Sequence, residues 1–155
     1  MRTGNRGQVL VIVALAFAVF LGFAALAVDV AYMYTARNEL QRCADSGALA
    51  GASRFTEPGG VWSPNPLDPV MIQAGNYARD YATRDEVVAT QLNPASEVAV
   101  TFPLDNQVRV DVSRNVALFF ARIFGLQTRT ITAYAVARAI FTPGPPPDNT
   151  VQLVE

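Results

Sequence analysis

Between Gly7 and Val28 the chain shows no alternation of hydrophobic and polar positions. These 22 consecutive residues carry no charge, and 13 of them are Val, Leu, Ile or Phe. Wound as a helix, the run is about 33 Å long, which matches the ~30 Å hydrocarbon core of a bilayer. Thirteen strongly apolar side chains favour insertion by roughly 4–8 kcal/mol. A core helix of a water-soluble domain keeps polar positions on its outer face, and this run shows none. The pattern predicts a transmembrane helix over residues 7–28. A cleaved secretory signal is the competing reading, with Ala25-Leu26-Ala27 as a small-x-small site. The run exceeds the usual ~7–15 residue signal core, which favours the anchor. Arg2, Arg6 and the α-amine precede the run and Asp29 ends it. Cations in a short leading tail favour its retention in the cytoplasm. Residues 1–6 are therefore expected inside and the remaining chain outside. Arg37 and Arg42 on the far side keep that bias modest.

A helical period appears only after Asp29. No Pro interrupts residues 29–53, and the first Gly there is Gly47. The helix is expected to continue through residues 29–53, about 70 Å from Gly7 to Ser53 at ~1.5 Å per residue. Leu40, Cys43, Ala44, Gly47, Ala48 and Gly51 share one small-residue face. Arg37, Gln41 and Asp45 lie on the other at i, i+4 and i+8, a spacing that permits a side-chain ladder worth ~0.2–0.5 kcal/mol per pair. Small residues recur every fourth position in both halves: Ala14, Ala18, Gly22, then Ala44, Ala48, Ala52. Such stripes let helix backbones approach closely in lipid, so these six are the expected helix-packing positions. Cys43, on the small face, reads as a small hydrophobe.

Residues 54–142 are expected to form a small outer domain. Six Pro or Gly between Pro58 and Pro69 mark a loop. Asp68 suits an N-cap with Pro69 at the first helical position. Val70, Ala74, Tyr77, Ala78 and Tyr81 then fit a second helix of about four turns. The period changes to two in the second half. Val98, Val100 and Phe102, then Val108, Val110 and Val112, alternate with polar or small neighbours around an Asp105-Asn106 turn, predicting an antiparallel hairpin with one wet face. Val116, Phe119, Phe120, Ile123 and Phe124 fit a short buried helix closed by Gly125. Thr128 to Phe141 alternates as a third strand, although its Ala content also suits a helix. Residues 143–155, opening with Pro143-Gly144-Pro145-Pro146-Pro147, read as an extended tail. The fold class is therefore α+β: a long N-terminal transmembrane helix, a second helix and a three-stranded antiparallel sheet.

Composition narrows the chemistry. The chain has no His, and all 12 cations are Arg. The commonest general base, Schiff-base chemistry and phosphate-loop lysines are thus absent. One cysteine makes neither an intramolecular disulfide nor a Cys-rich zinc site. A net charge of −1 offers no basic surface for nucleic acid. Asp80, Asp85 and Glu86 interleave with Arg79 and Arg84 and read as a solvated, internally paired helix end. Trp62 reads as an anchor folding the proline-rich loop onto the core. No cofactor or metal is expected, and no catalytic residues.

The strings Arg6-Gly7-Gln8, Gly22-Phe23-Ala24-Ala25-Leu26-Ala27-Val28-Asp29-Val30, and Leu40-Gln41-x-x-Ala44-Asp45-x-x-Ala48-Leu49-Ala50-Gly51-Ala52 resemble the N-terminal segment of TadE/TadG-like proteins of Tad (Flp-type) pilus assembly. The resemblance covers about residues 6–53. It implies a bitopic, pilin-like or pseudopilin-like part of a bacterial envelope secretion machine. One departure matters: a pilin-type cut after Gly7 would put Ile12 where pilins usually carry Glu. The expectation is a structural, non-enzymatic, single-pass inner-membrane component. Its partners would be the membrane, other pilin-like subunits or assembly-platform proteins, with self-association through the N-terminal helix. Asp29, Arg37, Gln41 and Asp45 would be its registry contacts. The alternative is an exported soluble binding module released by signal cleavage.

Overall fold

The computed structural model describes residues 5–140 and 150–154. Helix α1 runs unbroken over Asn5–Ser53, through the transmembrane candidate and its continuation. A short 3-10 turn, Arg54–Thr56, follows it. Gly59 (φ 84°) and Gly60 then reverse the chain. A Cβ on Gly60 would lie within 2.0 Å of the Arg54 carbonyl oxygen, so no other residue fits that return. Buried Phe55 pins the corner, its ring edge-on to Phe102 at 6.3 Å.

Helix α2 spans Pro69–Ala82. Asp68 Oδ1 accepts from the Val70 N–H at 3.0 Å, as expected of that N-cap. Its buried face is Met71, Ala74, Gly75, Ala78 and Ala82. That face is rotated from the one the sequence suggested: Tyr77 is exposed and stacks on Tyr81 on the outer side, with Arg54 over one ring and Arg84 over the other. The cause is proximity. A Cβ on Gly47 would meet the Ala78 carbonyl at 2.7 Å, and one on Gly51 would meet Ala78 Cβ at 3.0 Å. Helices this close admit only small side chains between them, so the tyrosines turn outward.

The main sheet has order β3-β4-β5-β6 and is antiparallel throughout, with β3 Val98–Thr101, β4 Gln107–Ala117, β5 Thr128–Ile140 and β6 Thr150–Val154. It has four strands where three were expected. The extra edge strand comes from residues assigned to the tail, and Val151 pairs with Ala139 beside it. The proline-rich stretch 143–147 lies outside the described residues. A second, two-stranded sheet was also not foreseen: β1 Glu86–Val87 pairs with β2 Thr90–Gln91. Its turn, Val88-Ala89, holds both residues at positive φ (54° and 59°) with no glycine or asparagine to signal it.

Val98, Val108, Val110 and Val112 bury one face of the main sheet together with Ala133, Ala135, Ala137 and Ala139. The period-two reading of β5 therefore holds, and its alanines have a purpose: small inward residues let α1 lie against the sheet. The outer face is wet. There Arg109 grips Asp111 through two nitrogens and lies over the Tyr134 ring. Leu40, Cys43, Ala44, Ala48 and Ala52 of α1 join the alanines of α2 and the sheet valines in one core.

The expected buried helix over 116–124 does not form. Val116 belongs to β4, and only a 3-10 turn, Ala121–Phe124, remains, closed by Gly125 at φ 84°. Val116 is in phase with the period of two that runs from Val108, and the β4–β5 ladder continues to Ala117 paired with Thr128. That ladder overrides the local helical spacing. Phe119, Phe120, Ile123 and Phe124 are left exposed.

Candidate functional site

The site of interest is α1 itself, which changes character at one residue. From Gln8 to Ala24 every residue is exposed. Val13, Ala16, Phe17, Phe20, Leu21 and Ala24 line an apolar groove along this stretch. Ala14, Ala18 and Gly22 are exposed as well, and a Cβ on Gly22 would touch nothing within 4 Å. The helix is long and apolar enough to cross a membrane.

Asp29 marks the change. It is 2% exposed, the single buried charged residue among those described. Its Oδ1 accepts from the Phe119 N–H at 2.8 Å. Its Oδ2 accepts from the N–H groups of Phe120 and Ala121 at 2.9 and 2.7 Å. Burial pushes its pKa up, but the bonds from Ala121, Phe119 and Phe120 outweigh that and hold it below the ordinary carboxylate value. The Tyr32 ring meets Phe119 edge-on at 5.2 Å one turn further on. Asp29 thus straps the β4–β5 loop to the helix where the exposed half ends. Nothing in the sequence flagged this, because the partners are backbone N–H groups some 90 residues away.

The other expected registry residues behave differently from one another. Gln41 donates to Asp45 at 2.8 Å and to the Tyr134 carbonyl of β5 at 3.0 Å, so the ladder is tied to the sheet. Arg37 is exposed, in a shallow groove with Val30, Met33, Tyr34 and the start of β5. Of the six small residues expected to pack helices, Ala44, Ala48 and Ala52 are wholly buried within the chain's own core. Ala14, Ala18 and Gly22 have no protein partner among the described residues.

Two residues that sequence reasoning passed over hold the small hairpin to this scaffold. Glu39 on α1 accepts from the Val88 N–H at 2.8 Å, which helps fix the positive-φ turn. Arg114 on β4 donates to the carbonyls of Val87, Thr90 and Gln91 at 2.6–2.8 Å and pairs with Glu97 through two nitrogens at 3.0 and 2.8 Å. The Arg114 guanidinium, against the smaller opposing effect of burial, holds Glu97 below the ordinary carboxylate value. Burial pushes the Cys43 thiol up to about 11, consistent with an inert core residue. Trp62 is half-buried against the core. Among the described residues no cluster of three or more His, Cys, Asp or Glu is placed to hold a metal.

The helix with the exposed first half and the buried second half can be set beside known proteins. Residues 7–54 match the family model described as "Putative Flp pilus-assembly TadE/G-like". The matched TadE/G-like segment is about a third of the chain and coincides with α1 almost end to end. No curated protein and no solved structure matches the chain. The resemblance read from the residues thus stands on the segment that carried it. The TadE/G-like match together with a helix long enough to span a bilayer fits a membrane-associated pilus component.

Proposed function

We propose that this protein is a structural subunit of a Tad/Flp-type pilus or secretion apparatus, in the role of a minor pilin or pseudopilin. The observation that carries the reading is the coincidence of the TadE/G-like match with a single helix whose residues 9–24 are all apolar and exposed. In this account residues 7–28 cross the inner membrane with residues 1–6 in the cytoplasm. The domain built on residues 29–53 then stands outside. Assembly uses the first half of α1. Its groove along Val13, Phe17 and Phe20, or its small stripe Ala14-Ala18-Gly22, receives the apolar helix of another subunit or of a platform protein. Arg37, exposed just above, is the registry residue best placed to meet a neighbour. No step of catalysis is assigned to the chain.

A photo-crosslinking residue at Phe17, activated in intact membranes, tests this. Adducts with other apolar-helix subunits are expected. Recovery of a soluble protein whose mature N-terminus is Val28 would establish the exported binding module instead.

A further inference from the structure

The β4–β5 loop, residues 118–127, exposes five large apolar side chains: Phe119 58%, Phe120 41%, Ile123 83%, Phe124 72% and Leu126 58%. Water is a poor environment for such a cluster, and the domain offers it no core. Its position supplies another. The carboxylate of Asp29 binds three consecutive N–H groups of the loop, and Asp29 directly follows the last residue of the apolar span. The loop is therefore held level with the point where α1 would leave the bilayer. Ala25 and Leu26, one turn earlier, are half-buried while residues 8–24 are exposed.

We propose that this loop is a second membrane contact, its apolar tip seated in the lipid interface beside α1. The inference rests on the reading that residues 7–28 span a bilayer, and the loop's exposed apolar side chains are held at the residue that follows that span. The backbone suits such a place. Hydrocarbon does not tolerate unpaired N–H groups. Here Leu118 N–H donates to Gln127 O, Ile123 to Phe120 O, Gly125 to Arg122 O and Leu126 to Ala121 O, while Asp29 takes the three between. Arg122 and Arg129 are exposed on the same loop and its exit strand, at the level of lipid phosphates. Tyr32 and Tyr34 lie on α1 at the same height, in the manner of interfacial aromatics. A helix with one crossing rotates and tilts freely. A second contact some 90 residues away in sequence fixes how the domain leans over the membrane. That orients Arg37 and the groove below it toward a neighbouring subunit.

The test uses the full chain in phosphatidylcholine–phosphatidylglycerol vesicles, with tryptophan as the probe and brominated acyl chains as quencher. Three variants are made in a Trp62→Phe background: Phe17→Trp in the span, Phe124→Trp in the loop, and Leu104→Trp at the far end of β4. The 11 residues of β4 put Leu104 roughly 36 Å from the loop at ~3.3 Å per residue. Ile123→Trp repeats the loop measurement from a neighbouring exposed position. Difference spectra with Trp62 retained keep the result independent of that background. Bromolipid is expected to quench the span and loop probes by about twofold or more, an interfacial depth of ~5–10 Å placing the loop probe within reach. The Leu104 probe should be unaffected. Quenching of the span probe with a loop probe open to aqueous acrylamide overturns the proposal and leaves the span intact. A loop probe shielded from acrylamide yet unquenched by bromolipid also overturns it, in favour of a second copy of the chain as cover. An unquenched span probe removes the anchored reading itself.

Discussion

The two halves of α1 each carry six alanines and two glycines, yet one stands outside the core and the other is its spine. The difference lies in what surrounds those small residues and how it is arranged. Residues 9–28 are apolar on every side, so no face is preferred, and the chain covers only Ala25 and Leu26, in part. Residues 29–53 place their small residues on one face and their charges on the other, and the small face meets α2 and the sheet at near-contact distance. A helix that is apolar all round needs an apolar solvent, whereas a one-sided helix supplies one wall of its own core.

The largest expected effect strikes the outer domain through its ionic clamp. Arg114→Ala removes one side of the half-buried pair with Glu97 and the donor to three hairpin carbonyls, for an expected loss of about 2–3 kcal/mol. Urea unfolding followed by near-ultraviolet circular dichroism should show the outer domain losing most of its stability, while vesicle retention is unchanged. Next comes a matched pair of glycines. Gly51→Ala brings a methyl to within 2.9 Å of Val108 and 3.0 Å of Ala78, for an expected loss of ~1–3 kcal/mol. Gly22→Ala meets nothing and should leave the domain's melting temperature in place. Equal effects from the two would erase the contrast between the halves.

Acid sharpens the same contrast. Asp29 and Glu97 both have folded pKa values below their ordinary 3.8 and 4.5. Each therefore stabilises the fold fully above its ordinary value, and the contribution is lost as pH falls through the depressed folded value. The outer domain should lose stability below about pH 4, and Asp29→Asn combined with Glu97→Gln should flatten that dependence. The uncharged run 7–28 has nothing to titrate, so membrane retention should not change over the same range. The smallest effect is a gain. Ala89→Gly relieves a positive φ at an exposed turn residue and should add ~0.5–1 kcal/mol to the unfolding free energy.

Much of this was legible in the residues. The continuous α1, the Asp68-Pro69 start of α2, the Asp105-Asn106 turn and the strand character of β5 all follow from local pattern and capping chemistry. What was hidden depends on contacts distant in sequence. Val116 and Phe120 are consistent with a helix until the ladder to β5 claims the first and leaves the second exposed on the loop. Met71 replaces Tyr77 on the buried face of α2 because Gly47 and Gly51 bring α1 too near for a ring. Asp29 looks like a charge at a membrane boundary; its role as a strap depends on where the chain returns 90 residues later. The fourth strand follows a proline-rich stretch whose composition masks it. At the candidate site, the Gln41–Asp45 contact was legible from their spacing of four, whereas Glu39 and Arg114 bind backbone atoms and leave no motif.

The most direct test of the account is chemical access along α1 in vesicles. In a Cys43→Ala background, Ala18→Cys and Arg37→Cys are exposed to a small water-soluble maleimide admitted to both sides. The account predicts rapid labelling at position 37 and none at position 18 until the bilayer is dissolved and the chain denatured. Equal labelling at both positions would contradict it, because the first half of the helix would then lie in water.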